Sequence, residues 1–455
     1  MATATVAIIG GGASGTLTAY HLLRARGADE PDLDVLLFEA SGTPGRGIAY
    51  ATTDPRHLLN VRAIGMSALP DEPNHLVEWA ESTGRAITPT TFLPRREYAA
   101  YLDSLLAEIA PRLRVVPARV SDLERDPSGR WRVQAGEQTH LADHVVLAHG
   151  NATPRALVDG AGEPLPDAPW HLADPWRLAA LDALPDDATV VVVGSGLTAV
   201  DTVITALDGA PRRRAVMISR SGLLPRSHVV ETGTSWVTPV PSGPLRADDV
   251  AELVQAQIRA AARRDVDWRS VVDGLRGATQ SIWRRLDLDE RRRFLAVHAR
   301  EWETHRHRMA PEVGARIAAF RAEGRLELVG GGLGSVADEG ARARVALPGD
   351  GSVLADAIVN CTGPLTDVTR LGDPLLDRLL ERRTIAPDPL RLGIATTAEG
   401  AVLDADGNLV PGLFTVGPPR KGTLYESTAV PEIRVQAAAF AAHVRAGGAV
   451  CEGAA

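Results

Sequence analysis

The opening of the chain changes hydrophobic period within a few residues. Thr5-Val6-Ala7-Ile8-Ile9 is an unbroken apolar run of strand length. Gly10-Gly11-Gly12-Ala13-Ser14-Gly15 is a glycine turn, and from Thr16 to Arg26 apolar residues recur at helical spacing. After a polar link, Gly27 to Asp32, a second apolar run (Asp34-Val35-Leu36-Leu37-Phe38) ends in Glu39. Strand, glycine turn, helix and a strand closed by an acid make up a dinucleotide-binding βαβ unit. In such a unit Gly10 makes the tight turn, Gly12 admits a pyrophosphate to the backbone and Gly15 lets helix and strand pack closely. Glu39 accepts the ribose hydroxyls of an adenosine. The helix adds free N–H groups and a positive dipole end that attract phosphate.

The same alternation returns at Thr189. Val190 to Val193 is a buried-strand run, Gly194-Ser195-Gly196-Leu197-Thr198-Ala199 its turn, Val200 to Leu207 a helix and Ala215 to Ile218 the next strand. This unit ends in Ser219-Arg220-Ser221 and not in an acid. Each unit is closed by an apolar strand running into a glycine: His144 to Leu147 before Ala148-His149-Gly150, and Ala357 to Asn360 before Cys361-Thr362-Gly363. Beyond the loop Leu223 to Gly243, helical patterns cover Asp248 to Arg264, Trp268 to Leu275, Ala278 to Leu286 and Asp289 to Ala322, long enough to cover a substrate as a lid. A final strand, Gly412 to Gly417, precedes a helix from Glu432 to Arg445 with Pro431 at its start. The expected fold is α/β, with two Rossmann-like dinucleotide-binding domains and a helical insertion in the second. Residues 1–185 and 361–455 form the first domain and 186–360 the second, with the insertion at 245–325.

At 455 residues the chain is too long for a single core. Its net charge of −8 is mildly acidic, and the arginine triplets at 212–214 and 291–293 are short and diluted by acids, so no nucleic-acid footprint is expected. No eighteen-residue apolar run exists, and Thr3 to Ile9 lacks signal-peptide flanks, so no membrane partner and a cytoplasmic location are expected. The two cysteines, Cys361 and Cys451, are far apart, which excludes a Cys-x-x-Cys redox pair. Cys361 reads as a small buried filler. The single lysine is Lys421.

Several polar residues carry candidate chemistry. Arg46, in the glycine-punctuated loop Ser41 to Tyr50, can wrap a pyrophosphate. Arg220 can grip a 2′-phosphate that an acid would repel, which favours NADPH over NADH. His305 and His307 sit two apart on a helical pattern and diverge, so no metal site is expected. The block His305-Arg306-His307-Arg308 reads either as an anion or lid site or as a packed basic helix end.

The paired units, one with an acid and one without, resemble the two-dinucleotide-binding flavoproteins. Gly45-Arg46-Gly47-Ile48-Ala49-Tyr50, Leu59-Asn60-Val61, Trp302 with His305 to Pro311, and Gly422 to Arg434 resemble the shared blocks of a bacterial FAD/NAD(P)-binding protein family. Members of that family with assigned chemistry are similar to flavin N-monooxygenases acting on small amino acids such as aspartate. The resemblance implies FAD at Gly10, Gly12, Ala13, Ser14, Gly15, Glu39 and Arg46, with Val120 and Gly150, and the isoalloxazine near Asn60, Gly417, Thr428 and Glu432. It implies a nicotinamide cofactor at Gly194, Ser195, Gly196, Ser219 and Arg220. Catalytic candidates are Asn60, His305, His307 and Lys421. Pro418 stands where many flavoproteins carry an acid, and His149 where threonine is more usual. The expected activity is an FAD-dependent, NADPH-using monooxygenase that forms a flavin hydroperoxide and oxygenates a small polar substrate, with N-hydroxylation of an amino acid as the specific form. Its partners would be that substrate and dioxygen, with a homodimer as the candidate assembly. The alternatives are an NAD(P)H reductase feeding a quinone or protein acceptor, and a non-catalytic flavin-binding regulator.

Overall fold

The structure is a computed structural model that describes residues 4–24, 32–230 and 233–447. The link from Gly27 to Pro31, the end of the first expected helix (Ala25 and Arg26) and Cys451 lie outside the described residues.

The first apolar run becomes the strand Ala4–Ile9, and the glycine turn delivers the chain into the helix Ala13–Leu23. Ala4–Ile9 pairs in parallel with Leu33–Phe38 on one side and His144–Leu147 on the other, in registers that include Ile8↔Leu37 and Ile8↔Val146. The completed six-stranded sheet has the order Ala401–Leu403, Leu409–Thr415, His144–Leu147, Ala4–Ile9, Leu33–Phe38, Leu113–Val116; only the first of these is antiparallel to its neighbour. Its central strands are buried on both faces, which is why they read as continuous apolar runs. One face packs on the helices Ala13–Leu23, Arg95–Ile109 and Val430–Arg445. The other packs on the helix Pro374–Glu381 and an antiparallel sheet of Val120–Arg125, Trp131–Ala135 and Gln138–Ala142.

The second sheet is parallel, in the order Leu326–Val329, Arg214–Ile218, Thr189–Val193, Ala357–Asn360, His171–Leu172. The strand His171–Leu172, from the stretch assigned by sequence to the first domain, thus pairs in the second sheet. Helices Leu197–Leu207 and Pro311–Ala322 cover one face, and the antiparallel strands Val336–Asp338, Ala343–Ala346 and Ser352–Ala355 the other.

Between Arg214–Ile218 and Leu326–Val329 run the helices Ala247–Ala262, Trp268–Gly274, Thr279–Arg285, Leu288–Val297 and Ala299–Arg306. The pattern from Asp289 to Ala322 breaks twice, at His298 and again between Arg306 and Pro311. At the second break His307 leaves helical geometry (φ −97°, ψ 82°), and Pro311, at the first turn of Pro311–Ala322, can only begin a new helix. Among the described residues, no helix is long and apolar enough to cross a membrane.

Candidate cofactor and reaction site

The two glycine turns are built alike. Gly10 has φ 108°, and a Cβ there would stand 2.5 Å from the carbonyl oxygen of Ala148 in the closing strand. Gly194 has φ 122°, and its Cβ would run into the carbonyl of Cys361, the equivalent point of the second domain. Only glycine tolerates both the conformation and the approach. At Gly15 a side chain would overlap the Gly10 carbonyl, so this residue sets the close packing of helix on turn.

Around the first turn, Glu39 accepts hydrogen bonds from the amides of Gly11 (2.9 Å) and Ser41 (2.8 Å), which fixes its carboxylate over the glycines. The Gly45 amide donates to the Gly11 carbonyl (2.7 Å), and a Cβ on Gly12 would lie 3.4 Å from the Cα of Gly47. The two glycine-bearing loops therefore pack backbone against backbone, with no side chain between them. Arg46 lies in the second of these loops but pairs with Asp103 (3.0 Å) at the surface, so reaching a pyrophosphate requires it to leave that carboxylate. Gly150 (φ 68°) is open, and Val120 is a buried strand residue. Toward the C-terminus, the Gly417 amide donates to Gln436 Oε1 (2.8 Å). Gln436 Nε2, Ser427 Oγ and His149 Nδ1 are buried without hydrogen-bond partners. Buried polar atoms without partners are what a polar ligand would satisfy, and together with the glycine turn and Glu39 they fit FAD.

At the second turn, Ser195 Oγ donates to the Leu223 carbonyl (2.7 Å) and lies 2.8 Å from Ser219 Oγ. Arg220 is exposed, and Gly196 is open to a Cβ. Arg300, from the helix Ala299–Arg306, donates to Ser195 Oγ (2.8 Å), to the Leu223 carbonyl and to Ser221 Oγ (3.1 Å).

Between the domains and the helical insertion lies a cavity of ≈ 440 Å³. Asn60 contributes from the first domain, His228 and Trp236 from the loop before the insertion, Arg276, Arg306, His307 and Arg308 from the insertion, and Lys421, Thr428 and Glu432 from the C-terminal segment. Most of its charges are matched. Arg306 grips Glu426 through two 2.8 Å bonds, both side chains being buried, and Arg276 reaches Glu432 at 2.6 Å. Lys421 Nζ lies 3.7 Å from Glu303. Arg308 differs. It is 2 % exposed and pairs with Asp273 through Nη2, but its Nε and Nη1 have no hydrogen-bond partner. The two histidines stay neutral. Burial first, then the Arg308 charge, lowers His228 to about 3 although the Asn60 carbonyl (3.1 Å) favours its proton. Burial, with Arg306, Lys421 and Arg276, lowers His307 to about 3.

Residues 7–152 match a family described as FAD-NAD(P)-binding. The first glycine unit therefore belongs to an FAD-NAD(P)-binding domain. No protein of curated function matches the chain in sequence. Solved structures match it over nearly its whole length. Ornithine hydroxylase of Pseudomonas aeruginosa has a TM-score of 0.65 at 15% identity, covering 98% of this chain and 99% of that chain. L-lysine 6-monooxygenase of Pseudomonas syringae has 0.63 at 17% identity with the same coverage. Bacillithiol disulfide reductase of Staphylococcus aureus has 0.58 at 11% identity, again over 98% and 99%. At these identities the likeness is one of fold.

Around the FAD-NAD(P)-binding domain, Asn60, His307, Lys421, Thr428 and Glu432 converge on the cavity, as do the glycines and Glu39 on the first turn. His305 does not join them. It lies on the far side of its helix, edge-on to Trp268 (4.9 Å) with Nδ1 2.9 Å from the Glu301 carbonyl. Glu432 is already taken by Arg276. The block from His305 to Arg308 is thus not a single cationic site: Arg306 is neutralised, His307 is uncharged, and Arg308 alone brings unpaired donors. Arg300, Arg276 and Glu426 were missed because nothing local in the sequence marks them; their partners are far away in the chain. Among the described residues no group of three or more His, Cys, Asp or Glu side chains could hold a metal ion.

Proposed function

We propose that the protein is an FAD-dependent, NADPH-using monooxygenase that hydroxylates the amine of a small substrate carrying an anionic group. The observation that carries the reading is the cavity between Asn60 and the insertion, lined by paired charges and by the unpaired nitrogens of Arg308. A buried guanidinium with two free donors recognises a carboxylate or similar anion. Neutral His228 and His307, whose protons are displaced by burial, can accept from or donate to an amine without repelling it as an ammonium would be repelled by a cation. The likeness in fold to ornithine hydroxylase and L-lysine 6-monooxygenase supports N-oxygenation.

Bound FAD, reduced by the nicotinamide cofactor, would supply electrons to activate dioxygen. The balanced reaction is R–NH2 + O2 + NADPH + H⁺ → R–NHOH + NADP⁺ + H2O. The chain's share is to hold the dinucleotide on its glycine turns, orient the substrate through Arg308 and keep bulk water out with the insertion helices. The fold is also shared with a disulfide reductase, but Cys361 is buried and its thiol is pushed up to about 12, chiefly by burial. That leaves no reactive dithiol among the described residues.

FAD-loaded protein should oxidise NADPH in air faster when amino acids bearing a second carboxylate are added, with hydroxylamine formed in proportion. Arg308→Ala should raise the substrate KM while leaving anaerobic flavin reduction by NADPH intact. If all NADPH electrons instead appear as hydrogen peroxide with every amine tried, and quinones outcompete oxygen, the protein is a reductase.

A further inference from the structure

The second glycine turn carries a cation that the nucleotide-binding unit itself does not contain. Arg300 belongs to the insertion, eighty residues beyond Arg220, yet its guanidinium lies over Ser195, Ser221 and the Leu223 carbonyl. Ser195 is in turn bonded to Ser219, so three hydroxyls and two arginines gather at the strand end, where a dinucleotide's adenosine ribose is held in this type of unit. No acid terminates the strand. Arg220 and Arg300 are close enough that Arg220 lowers the Arg300 guanidinium, though burial lowers it more, and Glu303 acts in the opposite direction. Like charges gathered beside hydroxyls are relieved by an anion.

The helix carrying Arg300, Ala299–Arg306, also carries Glu303 and Arg306 and leads into His307 and Arg308, all on the wall of the reaction cavity. One short helix therefore touches both sites. We infer that Arg300 is a specificity-determining residue for the 2′-phosphate of the nicotinamide cofactor, and that through its helix phosphate binding is coupled to the wall of the substrate cavity. The inference rests on assigning the second turn to a nicotinamide dinucleotide, and extends it in two ways: recognition is shared between the domain and its insertion, and by linkage each ligand alters the other's affinity.

The test uses FAD-loaded protein with 2′,5′-ADP and 5′-AMP as probes, titrated by calorimetry, and hydrogen exchange of the insertion. Arg300→Ala should weaken 2′,5′-ADP by about tenfold, the order of one charge-assisted contact, and leave 5′-AMP within about twofold. Ser221→Ala, which removes a hydroxyl held by Arg300, should produce a smaller loss of the same selectivity. In the unaltered protein 2′,5′-ADP, but not 5′-AMP, should change exchange across residues 299–308, and Arg300→Ala should abolish that change. Equal losses for both probes would make Arg300 a loop support, and an unchanged exchange pattern would remove the coupling. Neither measurement involves oxygen, so a failed oxygenation assay leaves this result standing, and a failure here leaves the oxygenation assay unaffected.

Discussion

At Gly12 the backbone is ordinary (φ −69°), and an added Cβ would meet only the Cα of Gly47 at 3.4 Å. A single Cβ would therefore be in ordinary contact there, and the stronger need for glycine comes from a pyrophosphate approaching the backbone of the turn. Gly12→Val is expected to fold, by circular dichroism, but to purify without flavin absorbance; full flavin occupancy in that variant would move the pyrophosphate away from this turn. Arg220 makes the opposite case. Its side chain has no hydrogen-bond partner among the described residues, so removing it costs the fold nothing. Arg220→Ala should weaken NADPH roughly ten- to a hundredfold, for a charge-assisted contact of about 1.5–3 kcal/mol, and change NADH little. Equal losses with both cofactors would mark the residue as structural.

Elements were legible in the sequence where local pattern decides them. The strand Ala357–Asn360 and both glycine units fall where apolar runs and turns put them, because strands buried on both faces cannot alternate. Strands such as Gln138–Ala142 and Ser352–Ala355 were invisible, since they lie in small antiparallel sheets and bury only one side chain each. The candidate site was legible in its glycines and Glu39, and in Asn60, His307, Lys421, Thr428 and Glu432, which line the cavity. The charge state of the block His305 to Arg308 was not, because its neutralising acid, Glu426, is 120 residues away and its helix ends inside the block. The same tertiary burial has a consequence for pH. His228 and His307 fold with values of about 3, below the ordinary 6.5, so between those limits the unfolded chain binds more protons than the folded one. Stability from these groups is complete above pH 6.5 and is lost as pH falls toward 3, with a slope of up to about 1.4 kcal/mol per pH unit for each proton. The urea midpoint should fall across this window, and His228→Gln, which can still donate to the Asn60 carbonyl, should flatten the fall. An unchanged slope would mean that His228 is protonated in the fold.

For the molecule as a whole, function requires the two glycine turns to keep a fixed separation, and a buried polar seam supplies that constraint. Arg95, at the start of the helix Arg95–Ile109 in the first domain, pairs at 3.0 Å with Asp201 on the helix Leu197–Leu207 of the second, with side chains only 13% and 8% exposed. Beside them His57 Nε2 lies 2.8 Å from Thr205 Oγ1, and Thr205 donates to Asp54 (2.9 Å). The helix held by this seam begins at Gly196, so the seam positions the second nucleotide turn against the first domain. Burial raises the Asp201 carboxyl, while Arg95 and His57 pull it down and Asp54 adds to the rise. Removing one partner of such a pair leaves a buried charge uncompensated, so Arg95→Ala should destabilise the protein by about 3–5 kcal/mol, whereas Arg95→Met with Asp201→Leu should recover most of the loss. The deficit has a defined pH dependence. The folded Asp201 already holds its proton more tightly than the unfolded chain does, and without Arg95 it holds it more tightly still, so stability falls more as pH rises in the variant than in the unaltered protein. Denaturant unfolding of Arg95→Ala should therefore differ from that of the unaltered protein more at pH 8 than at pH 5. A deficit below about 1 kcal/mol, or one that does not change with pH, would mean that the pair behaves as an exposed surface ion pair and that apolar packing alone holds the domains in register.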